Sequence, residues 1–240
     1  MQSIFVETLT QAARQMEIEL SGRQMEQCAH FADMLVNRNK ELNLTTLVQP
    51  EEIALKHFTD SFTCLGVGSW PSGCRAVDVG TGAGFPGVPL AILRPDVRWV
   101  LADALRKRVS FVEEVLAELQ LKGVRCLHLR AEDLGRDADA RESFDVAVAR
   151  AVSRLPVVLE YCVPLVKIGG GVIAMKGPDV EDEVAEARVA ARKLGVDPAV
   201  LTSLELPGGS GGRTLVWYRK SRPTPPAYPR RAGLAQKRPL

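Results

Sequence analysis

The sequence predicts an α/β fold: a doubly wound, mostly parallel sheet with an antiparallel last strand, preceded by a helical N-terminal extension. Three observations lead there. Apolar residues recur at three- and four-residue spacing through the first 70 residues. From residue 75 the period changes to short β-branched runs separated by helical stretches, the pattern of a parallel sheet covered by helices. A glycine-rich turn follows directly on the first of those runs.

Taken in order, Ile4, Phe5, Leu9, Ala12, Ala13 and Met16 mark one amphipathic helix, and Met25, Cys28, Ala29, Ala32, Leu35 and Val36 a second. Ser21 with Gln24 three residues on reads as a capping box for the second helix. Pro50 followed by Glu51 and Glu52 suits the first turn of a third. The strand-like runs are RAVDVG, RWVLAD, VRCLHLR, FDVAVAR, GVIAMK and TLVWYR, and the helices between them are expected at 88–93, 106–121, 152–167 and 179–194. PGGSGG at 207–212 separates LTSLEL from RTLVWYR, which makes the last strand pair antiparallel. The division this implies is a helical extension at 1–70, a cofactor-binding domain at 71–220 and a basic, proline-containing tail at 221–240.

Composition narrows the class. No run approaches the roughly 18 to 20 apolar residues of a membrane span, and the amino terminus has no signal pattern, so the expectation is a cytoplasmic protein with no membrane partner. Five cysteines without CxxC spacing and three scattered histidines give a protein-bound metal little support. The net charge is +2, but residues 220–240 hold six cations and no acid, which leaves −4 for the remainder. Such an end is either a solubilising tail or an electrostatic arm for a polyanion such as nucleic acid.

The chemistry concentrates at residues 76–92, where a buried strand runs into a turn containing Gly80, Gly82, Gly84 and Gly87. Glycines there let amides face a nucleotide-like ligand at the carboxyl edge of the sheet. Asp78 is placed either to accept a hydrogen bond from the methionine ammonium of S-adenosylmethionine or to cap the turn. Gly82, Gly84 and Gly87 also satisfy GxGxxG, so an NAD-linked oxidoreductase remains a rival reading. Asp103, ending the second strand, suits the ribose of either cofactor. Ala131 and Glu132, after the third strand, are placed to meet an adenine edge, which favours S-adenosylmethionine. Arg150, ending the fourth strand, is expected beside the glycine turn, facing an anionic group or paired with Glu132. Phe85 either lines a methyl channel or packs beneath the turn.

Several separated motifs resemble the bacterial small-subunit ribosomal RNA guanine-N7 methyltransferases, the glucose-inhibited division protein B family. They are NKELNLT at 39–45, KHFTDS at 56–61, DVGTGAGFPG at 78–87, the AE pair at 131–132, VARAVSRL at 148–155, MKG at 175–177 and the terminal YPRRAGLAQKRPL. The resemblance covers nearly the whole chain; Ala232 and Ala235 depart from the family's usual tail. It implies a class I S-adenosylmethionine-dependent methyltransferase fold, with the cofactor against Gly80, Phe85, Asp103, Ala131, Glu132 and Arg150. It further implies transfer of a methyl group to N7 of a guanine, guanine 527, in the decoding-region loop of 16S ribosomal RNA, within the small ribosomal subunit. Guanine N7 carries a lone pair and no proton, so no catalytic base is expected. The RNA-binding candidates are Asn39, Lys40 and His57, with Asn43, Lys56 and Asp60 in the same polar clusters. Lys176 at another strand end and Arg230, Arg231, Lys237 and Arg238 in the tail complete the set. A monomer is expected. The rival of a different class is a non-catalytic RNA-binding or assembly factor on the same fold.

Overall fold

The computed structural model describes residues 2–240. Helices α1 (Gln2–Gln15) and α2 (Gly22–Leu42) form where the apolar periodicity places them. The capping box is present: the Ser21 hydroxyl accepts from the Gln24 amide while the Gln24 side chain accepts from the Ser21 amide, so two orphan donors are satisfied. Asn43 closes α2 in the left-handed conformation, with φ of 50°. The third helical stretch begins at Pro50 as expected but is not uniform. α3 (Pro50–Ile53) passes into a π-helical turn, Ala54–Thr59, then α4 (Asp60–Phe62) and a 3-10 turn, Thr63–Gly66. Such π-helical turns often carry functional side chains.

The sheet comprises β1 (Arg75–Val79), β2 (Arg98–Asp103), β3 (Val124–His128), β4 (Phe144–Arg150), β5 (Val166–Lys176), β6 (Val200–Glu205) and β7 (Gly212–Arg219), in the order 3-2-1-4-5-7-6. β1 to β5 pair in parallel, and β7 is antiparallel to both β5 and β6. The connecting helices are α5 (Gly87–Leu93), α6 (Arg106–Glu118), α7 (Ala131–Leu134), α8 (Leu155–Cys162) and α9 (Glu181–Leu194), with a last turn α10 (Leu234–Lys237). The helix expected over 152–167 is shorter than its apolar run. α8 gives way at Val163–Leu165 to a 3-10 turn containing Pro164, which lacks the amide needed to continue an α-helix. β5 therefore starts at Val166, and its pairing with β4 shifts register between Phe144↔Val166 and Val146↔Gly171.

Strand alternation divides the core between the two faces. On β4, Val146 and Val148 join the cluster formed with Phe31, Phe58 and Phe85, beneath the N-terminal helices. Ala147 and Ala149 join the opposite cluster with Leu159 of α8 and Ala187 of α9. The chain winds outward from β1 through β2 to β3 and then returns to place β4 on the other side of β1. That reversal puts the switch point between β1 and β4, where open α/β sheets bind ligands.

The basic end is not a free tail. Arg141 donates to the carbonyls of Gly135, Thr224 and Tyr228, and Arg136 donates to that of Pro229. Ala235 of α10 is fully buried. Composition leaves a solubilising tail and an electrostatic arm both open because it counts cations and prolines, whereas this segment is held through its backbone carbonyls and amides and through Arg230 on Glu160, which composition does not register.

Candidate active site

The glycine turn is built from beneath. Gly80 and Thr81 both donate their amides to the Ala102 carbonyl of β2, and Gly80 has φ of +75°. A Cβ on Gly80 would lie 2.7 Å from a methyl of Val152, so the turn is closed to larger residues by both conformation and space. Asp78 is wholly buried below it, with one carboxylate oxygen accepting from the Gly87 amide at 2.9 Å, the first turn of α5. Burial raises its pKa to about 6 against that hydrogen bond. Its other oxygen and the Thr81 hydroxyl are buried without hydrogen-bond partners. The bond to Gly87 makes Asp78 a cap of the turn.

Beside the turn, a cleft of about 220 Å³ opens at the carboxyl ends of β1, β2 and β3. Gly80, Asp103, Ala131 and Glu132 line it, with Leu105, Leu129, Val152 and Tyr161 supplying apolar and aromatic walls. Both carboxylates are buried, and backbone amides fix their positions. Asp103 accepts from Gly82 at 3.0 Å and from Leu105 at 2.8 Å, while Glu132 accepts from Gly233 at 2.8 Å. Each carboxylate retains lone pairs for a ligand. Two acceptors and a flat apolar wall suit the hydroxyls and base of a nucleoside, so the residues present fit an adenosine cofactor.

The opposite side of the turn gathers two arginines around one carboxylate. Asp60, 1% exposed, sits between two guanidiniums: Arg150 reaches it at 3.1 Å, and Arg213 grips both its oxygens at 2.6 and 3.1 Å. Arg150 also donates to the Lys56 carbonyl and to His57 Nδ1, at 3.2 and 3.1 Å. His57 is stacked on Phe85 with ring centres 4.5 Å apart, and its Nε2 lies 2.9 Å from the Thr45 hydroxyl. Burial, reinforced by the Arg150 charge, lowers the His57 pKa to about 3. With Nδ1 accepting from arginine, the neutral ring carries its proton on Nε2 and donates to Thr45. Arg150 lies over the Phe85 ring at 5.2 Å, and Phe85 stacks in turn on Phe31. The chain leaves β4 through Ala151, whose φ of 55° turns it away directly after Arg150.

The cleft thus gathers Gly80, Asp103, Ala131 and Glu132, while Phe85 and Arg150 stand on the other side of the turn with His57, and Gly82 bridges the two. Arg150 pairs with Asp60, not with Glu132 as one reading had it. Asn39 is a local brace: its carboxamide oxygen accepts from the Thr45 amide, which sets Thr45 against His57. Lys40 is exposed, as are Arg231, Lys237 and Arg238. Lys176 and Arg230 are spoken for internally, which corrects their reading as phosphate contacts. Lys176 pairs with Glu183 at 2.6 Å and Arg230 with the buried Glu160. Arg213 escaped the sequence reading because it lies in the run RTLVWYR, read only as a strand. Its place opposite Asp60, 153 positions away, is a consequence of sheet order.

Comparison with known proteins decides the family. A family model described as rRNA small subunit methyltransferase G matches residues 24–208. The chain belongs to that family. A curated relative named Ribosomal RNA small subunit methyltransferase G, from Desulforamulus reducens, is 44% identical over 97% of both chains. Its namesake from Desulfitobacterium hafniense is 47% identical over 98% of this chain and 97% of its own. Among solved structures, an SAM-dependent methyltransferase from Aquifex aeolicus matches with a TM-score of 0.53 at 20% identity, over 76% of this chain and 97% of its own. An SAM-dependent O-methyltransferase from Thermotoga maritima matches with a TM-score of 0.51 at 15% identity, over 80% and 73%. Those likenesses establish the class I methyltransferase fold, and the motif resemblance is borne out. Membership, with β7 inserted antiparallel between β5 and β6, removes the support for the NAD-linked reading of GxGxxG. Among the described residues no helix is long and apolar enough to cross a membrane.

Proposed function

We propose that this protein transfers a methyl group from S-adenosylmethionine to N7 of a guanine in the decoding-region loop of 16S ribosomal RNA. The observation that carries this reading is the pair of buried carboxylates, Asp103 and Glu132, facing one cleft beside Gly80 in a chain of this family. The cofactor-binding residues are Gly80, Asp103, Ala131 and Glu132, with Asp78 and Gly82 shaping the turn and Phe85 and Arg150 bounding the reacting side. When bound, S-adenosylmethionine supplies an electrophilic methyl group on a positively charged sulfur.

The rest is positioning. Guanine N7 has no proton to remove, so the chain's task is to hold the base edge in line with the methyl group, an effect that contributes on the order of 7 kcal/mol or more. His57 and Phe85 form a rigid aromatic pair against which an unstacked base can lie. Arg150 and Arg213, bonded to Asp60 and to His57 and the Lys56 and Lys176 carbonyls, keep donors over for acceptor atoms of the base or its phosphate. The RNA contacts are His57 and the exposed cations Lys40, Arg231, Lys237 and Arg238, with Asn39 acting through Thr45. Residues 1–70 close over the cofactor-binding domain at 71–220, and the protein works as a cytoplasmic monomer on the small ribosomal subunit.

The test is methyl transfer from radiolabelled S-adenosylmethionine to small subunits from cells lacking this activity, followed by nuclease digestion. Label recovered in 7-methylguanosine is the expected result. Cofactor binding without label in RNA would overturn the substrate, and absence of cofactor binding would overturn the reaction.

A further inference from the structure

The last twenty residues are anchored far more firmly than a terminal appendage requires. Lys220, wholly buried, bonds to Glu142 at 2.7 Å and to the Val163 carbonyl, and the same Glu142 oxygen accepts from the Thr224 amide at 2.9 Å. Further on, Glu160 of α8, with no exposed surface, takes four contacts from Arg230: its backbone amide at 2.8 Å, Nε at 2.8 and 3.1 Å and one terminal nitrogen at 2.5 Å. The same guanidinium donates to the Arg238 carbonyl at 2.9 Å and so ties the end of the segment back on itself. Between those two ties lies Gly233, with φ of +78°, and its amide points at Glu132 Oε1. Tyr161, the neighbour of Glu160 on α8, lines the cleft beside Glu132. One helix therefore carries both the anchor of the segment and a wall of the cleft.

We propose that residues 221–240 form a strap that positions the Glu132 carboxylate for the cofactor, with Arg230, Glu160 and Gly233 as positioning residues. The inference rests on the cofactor reading of the cleft. Glu132 has three rotatable bonds, and nothing on the short α7 that carries it fixes its head. The Gly233 amide holds one oxygen, the Tyr161 hydroxyl of α8 faces the same carboxylate, and the remaining lone pairs are left for a ligand hydroxyl or ring amine. Cofactor binding to a released Glu132 must order that side chain, and binding to a strapped one need not. Linkage makes the effect reciprocal: if the docked strap raises cofactor affinity, bound cofactor holds the strap down by the same factor.

The experiment pairs calorimetry with hydrogen exchange on the full chain. For Arg230→Ala, the S-adenosylmethionine Kd is expected to rise about tenfold, the scale of immobilising one flexible side chain. KM for the cofactor rises in parallel, kcat changes little, and Arg230→Lys restores most of the loss. Arg188→Ala, an exposed position on α9, leaves the Kd unchanged. In the unaltered protein, S-adenosylmethionine is expected to slow exchange over residues 230–238, a readout independent of any variant's folding. An Arg230→Ala protein whose strap exchanges freely yet binds cofactor as the parent does would overturn the proposal, as would exchange in the unaltered protein that is indifferent to cofactor. Failure of the unaltered protein to bind S-adenosylmethionine at all would instead strike the reading of the cleft.

Discussion

The two sides of the glycine turn solve opposite problems with opposite means. On the cleft side, Asp103 and Glu132 are held by backbone amides, and Asp103 also pairs with the half-exposed Arg108 at 3.5 Å, so the carboxylates are fixed chiefly by main-chain donors. On the other side, two guanidiniums share one carboxylate, Asp60, which leaves a local excess of positive charge beside a neutral histidine. The difference teaches how one turn sorts ligands. On the proposed function, acceptors face the hydroxyls and base of the cofactor on one side, and donors face a base edge or a phosphate of the RNA on the other.

If the two sides are independent, they can be broken separately. The largest effect is expected from Asp60→Ala, which strands Arg150 and Arg213, side chains 16% and 23% exposed, without their counter-charge. Loss of one partner from such a cluster costs about 3 kcal/mol or more. Urea unfolding should register that loss, while the folded fraction keeps its affinity for S-adenosylmethionine. An equal collapse of cofactor affinity would show that the sides are one unit.

The next effect separates them by pH. Asp78 has a folded-state pKa raised to about 6, so the stability it contributes is full below its unfolded value near 4 and is lost as pH rises through 6. A shift of about two units corresponds to roughly 3 kcal/mol. Asp78→Asn, which keeps an acceptor for the Gly87 amide, should therefore gain stability relative to the parent between about pH 4 and pH 7. His57 runs the other way. With its pKa lowered to about 3, its contribution is present above about 6.5 and is lost as pH falls. His57→Gln should flatten the acid limb of the stability profile and leave the neutral limb alone. A parallel response of both variants would contradict the opposite placement of the two groups.

Smaller again is Asp103→Asn, which removes the charge and keeps only one of the two hydrogen bonds, because Gly82 and Leu105 donate to different oxygens of the carboxylate. The S-adenosylmethionine Kd should rise about tenfold, the scale of one charged hydrogen bond, with a small fall in melting temperature from the amide left unpaired. An unaltered Kd would take the ribose contact away from Asp103.

The two sides also differ in how far the sequence discloses them. Asp103 ends β2 and Glu132 stands in the short helix after β3, so VLAD and the residues after VRCLHLR place both near the carboxyl edge of the sheet from periodicity alone. Phe85 and Arg150 were placed near the turn, but their partners were not, because Asp60, Arg150 and Arg213 are brought together only by the β1–β4–β5–β7 order of the sheet. The NKELNLT run drew attention as a polar cluster. Its physical sense, Asn39 bracing Thr45 and Thr45 orienting His57, emerges only when α2 and the π-helical turn are packed together. In the tail, Arg230 looks like its neighbour Arg231 in sequence, and only the buried Glu160 tells them apart.

That last distinction yields the smallest effect and the finest test of where RNA charge is met. Arg231, Lys237 and Arg238 are exposed, whereas Arg230 is committed to Glu160. Each phosphate neutralised on single-stranded RNA contributes about 0.7 to the slope of log affinity against log salt concentration. The triple change of Arg231, Lys237 and Arg238 to Ala should therefore lower that slope by about 2 if all three meet phosphates, and leave S-adenosylmethionine affinity untouched. Arg230→Ala should do the reverse, weakening the cofactor while changing the salt slope by less than one such contact. Filter binding of a decoding-loop RNA at several salt concentrations checks both. An unchanged slope in the triple variant would confine the RNA to the shelf formed by Lys40, His57, Arg150 and Arg213, and would make the strap a component of the acid side alone.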